Sequence, residues 1–355
     1  MLGLPEGVQD TLQSARAPST RATYRNMWQG FCAWCEGRRC SPEDCSPGEV
    51  LCFLQSLLDS GRTASTLKVY LAAITANHAG TAEGPLSRLP LLSRFMKGVR
   101  RLRPVRPPIV PRWDLGLVLE ALSQPPFEPL ETVPLKRLSE KTAFLLAVAS
   151  TKRRSELHAL SVGEGFLRMA PDNSGVTLRP NPAFLPKVLP ADHVVRPWSL
   201  AAFSPSGEGL AAVLPNPLCP VRALDVYVSR TKAVRQTDQL FVCYGQAVRG
   251  RRLSQHRLSH WIVDAIQAAY QLAGRPLPGP VVAHSTRGMA ASWAQVRGVP
   301  LADVCAAAGW ASPLTFARFY RVNVVPPNVL QQAVLGVGPS SLEAEEDAGS
   351  SRPRQ

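Results

Sequence analysis

No uncharged apolar stretch of this chain comes near the roughly 20 residues that a bilayer-spanning helix needs; the longest, Thr142 to Ser150, is far too short. Nor does the start, Met1 to Ser19, show the charged-then-apolar order of a secretory leader, because Pro5, Glu6, Asp10 and Pro18 interrupt it. These two absences predict a soluble intracellular protein with no membrane partner. Histidine is scarce, with 6 in 355 residues, and none stands beside the cysteine-rich region Cys32, Cys35, Cys40, Cys45 and Cys52. That argues against a zinc site at Cys32-x-x-Cys35, where Trp28, Phe31 and Trp34 suggest a packed helix instead. Eight cysteines in a long, non-secreted chain read as reduced thiols rather than a disulfide framework. Acidic residues are also short, 26 Asp and Glu against 40 Lys and Arg, and the formal charge of +14 favours a polyanionic partner, by default nucleic acid.

What is present divides into two folded parts. Residues 1–18 read as a flexible start. From 19 to 103, three segments have helical periodicity behind start signals: Ser19 and Thr20 before Tyr24, Trp28 and Phe31; Ser46 and Pro47 before Val50 to Leu58; Ser65 and Thr66 before Leu67, Tyr70, Leu71 and Ile74. A fourth, Pro90 to Leu102, completes a helical bundle. It runs into Arg100, Arg101, Arg103 and Arg106 among Pro104, Pro107 and Pro108, too rich in proline to stay helical, and 104–110 reads as a basic linker that tracks phosphates. Lys68, Tyr70 and Lys97 are further candidate contacts to DNA in this part.

The second part, 111–335, mixes helices at Leu117 to Leu122, Lys136 to Ser150, Pro220 to Arg230 and Ser254 to Ala273 with short extended runs either side of Asp172-Asn173-Ser174-Gly175 and a buried strand at Leu240 to Cys243. Further helices follow Ser285 and Leu301. The fold class predicted is mainly α with a small β-sheet (α+β). Residues 336–355, with Glu343, Glu345, Glu346 and Asp347, have almost nothing to bury and read as a disordered acidic tail.

The chemistry lies in three short stretches. His284-Ser-Thr-Arg287 puts a histidine and an arginine on one helical face. Tyr320 stands in Thr315-Phe-Ala-Arg-Phe-Tyr320, after Gly309-Trp310, and is the only Tyr downstream of Tyr270. Ser150-Thr-Lys-Arg-Arg-Ser-Glu-Leu157 follows an apolar helix, and cations there are costly to enclose unless an anion is meant to sit among them. Arg153 is the favoured inward group, with Lys152 and Arg154 as alternatives. Cutting a phosphodiester with a tyrosine needs this kind of set: a nucleophile, cationic donors for the nonbridging oxygens, and an acid for the departing hydroxyl.

Arg153 with Glu156-Leu157, then His284-x-x-Arg287, Gly309-Trp310 and Tyr320 resemble, in order and approximate spacing, the tyrosine recombinase (phage integrase) family. The resemblance covers about Ser19 to Leu335, with the first part similar to that family's core-binding domain. The runs Cys219-Pro-Val-Arg-Ala-Leu-Asp-Val-Tyr, Arg257-Leu-Ser-His-Trp-Ile-Val-Asp-Ala-Ile and Ala283-His-Ser-Thr-Arg-Gly are most similar to recombinases of DIRS-like and Ngaro-like eukaryotic retroelements. The resemblance implies a site-specific recombinase or integrase of a mobile element, working by metal-free transesterification with no cofactor. Tyr320 would attack phosphorus to give a 3′-phosphotyrosyl bond. Arg153 and Arg287 would clamp the nonbridging oxygens, and His284 would donate to the phosphate or take the Tyr proton. Trp310 would fill the place where many relatives have a second His, and Lys187, chosen over Lys232, would be the acid. Tyr320 falls one position further from Trp310 than in many relatives. The resemblance also implies double-stranded DNA as partner, self-association on DNA as a tetramer in the synaptic complex, and residence in the nucleus. The alternatives are strand relaxation of the type IB topoisomerase kind, and a catalytically silent DNA-binding descendant.

Overall fold

The computed structural model describes residues 5–104, 113–186, 196–203 and 216–324. Lys187, Arg106, nearly all of the basic linker and the acidic tail lie outside the described residues. The chain divides into two compact units, Met1–Pro107 and Pro108–Gln355, and each has its own core.

The first unit is all helical: α1 (Glu6–Ser14), α2 (Pro18–Arg38), α3 (Pro47–Asp59), α4 (Ala64–Asn77) and α5 (Pro90–Leu102). The start signals act locally. Pro18, Pro47 and Pro90 stand in the first turn, where a missing N–H costs nothing, and the Ser46 hydroxyl accepts from Glu49 N at 3.3 Å. For α4 the cap is Thr63, not the Ser65 or Thr66 expected, since its hydroxyl accepts from Thr66 N. Helix α1 falls within the stretch 1–18 read as flexible, and Val8 and Leu12 on it remain exposed. Phe31, Cys35, Val50, Leu54, Leu67, Ile74 and Leu92 form the core, and Cys35 and Cys45 sit in it as free thiols.

The second unit is built on α6 (Leu115–Leu122), α7 (Leu135–Ser150), α8 (Arg154–His158), α9 (Pro220–Thr231), α10 (Gln255–Leu272), α11 (Ser285–Val296), α12 (Leu301–Ala308) and α13 (Pro313–Phe319). Helix α7 is the central element: Ser139 through Ala147 are all buried, and α9 and α10 both pack against it. Its buried Lys141 is offset by Glu128 and by the Leu122 carbonyl, to which it donates at 2.7 Å; Arg222 of α9 binds the same Glu128.

The sheet is a three-stranded antiparallel meander, β1 (Leu167–Met169), β2 (Gly175–Leu178) and β3 (Trp198–Ala201), with Val176 opposite Met169 on one side and Leu200 on the other. The fold is therefore mainly α with a small sheet. One expected strand is absent: Leu240, Phe241 and Val242 are buried, yet the run forms no ladder, only isolated bridges from Ser161 to Gln239 and from Val242 to Arg252. Single backbone bonds join Leu240 N to Leu160 O and Cys243 N to Arg251 O, and Val242 N donates to the Tyr227 hydroxyl. Burial of Leu240, Phe241 and Val242 under α9 and α10 accounts for the apolar run without a ladder. The third strand comes instead from Trp198–Ala201, too short to announce itself. Among the described residues, no helix is long and apolar enough to cross a membrane.

Candidate active site

Four element ends converge in the second unit. Thr151 ends α7 in the left-handed conformation (φ 51°), which turns the chain so that Arg153 becomes the N-cap of α8. Glu156, three residues on, reaches back to accept from Arg153 N at 2.5 Å, half of a capping box. Its carboxylate also lies 3.7 Å from the Arg153 guanidinium and 3.6 Å from that of Arg287, so one anion is shared by two cations from separate helices.

Helix α11 carries His284 at its N-cap and Arg287 one turn in. Its start is anchored by a relay: Trp113 Nε1 donates to Ser285 Oγ at 2.9 Å, and that hydroxyl donates to Val282 O at 2.7 Å. Arg287 is 1 % exposed. One terminal nitrogen donates to Ala308 O at 2.7 Å, whereas its Nε and Nη1 have no hydrogen-bond acceptor among the described residues. Burial, and then the Arg153 cation, pull the Arg287 guanidinium down to about 10, while Tyr320 and Glu156 act the other way. It remains a cation at neutral pH.

Gly309, in the left-handed conformation (φ 62°), ends α12 and lets Trp310 fold under the site, with Trp310 N on Cys305 O at 2.9 Å. The Trp310 indole N–H is buried without a partner among the described residues. Tyr320 caps the C-terminus of α13 and its ring lies 4.5 Å from that of Trp310, centroid to centroid. The guanidinium of Arg287 lies against both rings, 5.3 Å from Trp310 and 5.4 Å from Tyr320. The Tyr320 hydroxyl is 3.1 Å from His284 Nε2.

Arg153, His284, Arg287, Trp310 and Tyr320 are thus brought together from positions spread over 168 sequence places, between residues 153 and 320. Lys187 lies outside the described residues. Three participants were not singled out from sequence. Glu156 was quoted only as part of a motif, though its spacing from an N-cap was a legible signal. Lys152, weighed only as an alternative to Arg153, donates to Ala307 O at 2.9 Å and stands over the Trp198 ring at 5.9 Å; burial lowers its pKa, helped by Arg287 and Arg153. Gly288 lies so close to the carbonyl oxygen of Tyr320 that an added Cβ would stand 2.6 Å from it.

The chemistry open to this cluster is attack by a phenol on an anionic centre. His284 is placed to exchange the proton, and Arg287 and Trp310 hold buried donors that an oxyanion would satisfy.

In the first unit, a groove of about 520 Å3 is lined by Lys68, Lys97 and Arg100 from α4 and α5, and by Arg16 and Tyr24, which sequence reading did not single out. Arg16 stands over the Tyr24 ring at 5.1 Å. Lys68, Lys97, Arg100, Arg101 and Arg103 are exposed, whereas Tyr70 is half-buried, edge-on to Phe53 at 5.5 Å.

No family model and no curated protein sequence matches the chain. Solved structures do. An integrase fragment of the Tn1549 transposon in complex with transposon right end DNA superposes with a TM-score of 0.55 over 93 % of this chain and 96 % of that one, at 11 % identity. The XerH site-specific recombinase bound to palindromic difH substrate, in a post-cleavage complex, gives 0.51 over 82 % and 69 % at 16 % identity. A lambda integrase fragment, as a dimer bound to a COC′ core site, gives 0.50 over 89 % and 94 % at 13 % identity. At such identities the likeness is one of fold: the chain has the α+β fold of the tyrosine recombinases.

Proposed function

We propose, for a chain with this fold, that it cuts and rejoins double-stranded DNA as a site-specific recombinase or integrase, with Tyr320 as nucleophile. The observation that carries the reading is the contact of the Tyr320 hydroxyl with His284 Nε2 at 3.1 Å, beside a buried Arg287 whose Nε and Nη1 donors are unspent. Glu156 lies 3.6 Å from Nη1, an ion pair without a hydrogen bond, so these donors still lack acceptors, and a phosphodiester supplies two nonbridging oxygens.

In this mechanism Tyr320 Oη attacks phosphorus, the Oη–P bond forms, and the bond to the 5′-oxygen breaks. His284 takes the phenolic proton or donates to a nonbridging oxygen. Arg287 and Arg153 carry the charge that builds on those oxygens, with Trp310 offering its indole N–H. A lysine protonates the leaving 5′-oxygen; Lys187 is our assignment, on its place between β2 and β3. The phosphoester energy stays in the 3′-phosphotyrosyl bond, so a 5′-hydroxyl of another strand can reverse the step with no external energy source. The basic groove around Lys68, Lys97 and Arg100 suits the backbone of the same duplex. Exchange between two duplexes calls for self-association on DNA, to a tetramer, and DNA of a mobile element reached in the nucleus is the setting we assign.

Covalent trapping tests the proposal. The protein is incubated with nicked duplex DNA carrying candidate terminal-repeat sequence, denatured, and examined for a DNA-linked peptide. We expect the adduct on the peptide that contains Tyr320, and its loss in Tyr320→Phe with DNA binding retained. An adduct that survives Tyr320→Phe overturns the assignment.

A further inference from the structure

Apart from the catalytic cluster, one pair of side chains is aimed at a common point. His256 and His260, one turn apart on the first two turns of α10, have their Nε2 atoms 2.9 Å apart, with the rings at 88° and their centroids 4.4 Å apart. Both are exposed. The opposite face of the helix is fixed by buried Leu258, Trp261, Ile262 and Ala265, and the Ser254 hydroxyl caps its start by accepting from Arg257 N at 3.2 Å. The two imidazoles therefore project from a rigid base.

We propose that His256 and His260 form a binding site for a divalent late transition metal, Ni2+ or Cu2+ in preference to Zn2+, that is separate from the catalytic cluster. When neutral, a hydrogen bond between two imidazole nitrogens needs one bare nitrogen and one N–H on the line between them. A metal ion would displace that proton and sit to one side of the line, with each ring aiming its nitrogen lone pair about 45° off the line toward the ion.

The separation also selects the metal. Two bonds of about 2.05 Å from one ion to nitrogens 2.9 Å apart subtend about 90°, the angle between neighbouring positions of a square-planar or octahedral centre. A tetrahedral zinc ion would require the nitrogens to open to roughly 3.3 Å.

Surrounding charge narrows the class further. Arg257 follows on the same helix, and Arg154 of α8 comes in to donate to Ser259 Oγ at 3.2 Å. Such neighbours repel a cation held by charge alone, as Mg2+ or Ca2+ would be by carboxylates. They are tolerated only where the bond to imidazole is itself strong, as it is for Ni2+ and Cu2+. Among the described residues, no group of three or more His, Cys, Asp and Glu could hold a metal. The remaining coordination positions therefore fall to water or to an exogenous ligand, and the site is an open one.

Calorimetric titration of the full chain with Ni2+, and separately with Zn2+, tests this, with the thiols kept reduced by a phosphine. Nickel is the better probe because Cu2+ would oxidise the exposed Cys52 thiol. One Ni2+ per chain is expected, bound more tightly than Zn2+, with His256→Ala and His260→Ala each weakening it by about tenfold or more. Because both side chains are exposed, circular dichroism of the two variants should match that of the unaltered chain. Nickel affinity unchanged by either substitution would place the metal elsewhere and overturn the proposal. Tighter binding of Zn2+ than of Ni2+, or no uptake at millimolar Ni2+, would overturn it equally. The outcome is independent of whether Tyr320 cuts DNA.

Discussion

Replacing Gly288 by alanine should cripple the chemistry while sparing both the fold and DNA binding. The added methyl would stand 2.6 Å from the Tyr320 carbonyl oxygen, against an ordinary contact of 3.4 Å or more, so the tyrosine backbone must retreat by about 0.8 Å. In a helix, alanine gains about 0.5–1 kcal/mol over glycine, which offsets part of an overpacking cost of about 1–3 kcal/mol and leaves a net loss of about 0–2.5 kcal/mol, below what unfolds a domain. The catalytic change is not small. The Tyr320–His284 contact of 3.1 Å has no slack for a shift of that size, and misplacement near 1 Å costs about 100-fold in rate. The assay is the time course of covalent adduct on a nicked duplex, run beside a gel-shift titration. Gly37→Ala on α2 is the control, since a Cβ there meets nothing within 4 Å. Adduct formation at the unaltered rate in Gly288→Ala would refute the argument that this glycine sets the depth of the nucleophile.

Arg287→Lys should lower adduct formation far more than DNA affinity, because a point charge replaces a fork with two idle donors; equal losses of both would count against a catalytic role. Lys141→Ala should destabilise the second unit by about 3 kcal/mol in urea unfolding, and Lys141→Met should recover most of that; a loss under about 1 kcal/mol for alanine would contradict the burial argument. Burial, chiefly, pushes the Cys45 thiol up to about 11 from an ordinary value of 9.0 and that of Cys35 to about 12. The native state thus holds protons that the unfolded state releases, and the stability of the helical unit, full below pH 9, should fall as pH rises toward 11. Cys45→Ala should flatten that slope in melts followed between pH 8 and 11, and an unchanged slope would assign the loss to other groups.

Much of the helical framework was legible because its punctuation is local. Ser46-Pro47, Pro90 and Ser254 each act within their own first turn, and the structure begins α3, α5 and α10 there. The small sheet was only partly legible. Asp172-Asn173-Ser174-Gly175 marked the turn between β1 and β2, with Ser174 N on the Asp172 carboxylate at 3.0 Å, but β3 is four residues whose pairing is decided by β2 alone. Leu240 to Cys243 misled because an apolar run reports burial and not a continuous ladder.

The five residues that converge here stand out by type and order, whereas Lys187 lies outside the described residues. The supports of the five do not, since Glu156 bridging two guanidiniums and Gly288 touching Tyr320 are contacts between segments that sequence spacing does not reveal. The His256–His260 pair sits at the spacing that joins one helical turn to the next. Only the rotamers show that the two nitrogens meet.

Beyond Tyr320, Val322 N donates to the Ser292 hydroxyl of α11 at 2.9 Å. That clip fastens the chain leaving Tyr320 to the same helix that presents His284 and Arg287. On the function proposed above, we expect each copy to act on the phosphate it holds rather than to lend Tyr320 to a neighbour. Mixing Tyr320→Phe with Arg287→Ala should then restore no adduct, and recovery of adduct in the mixture would refute that expectation.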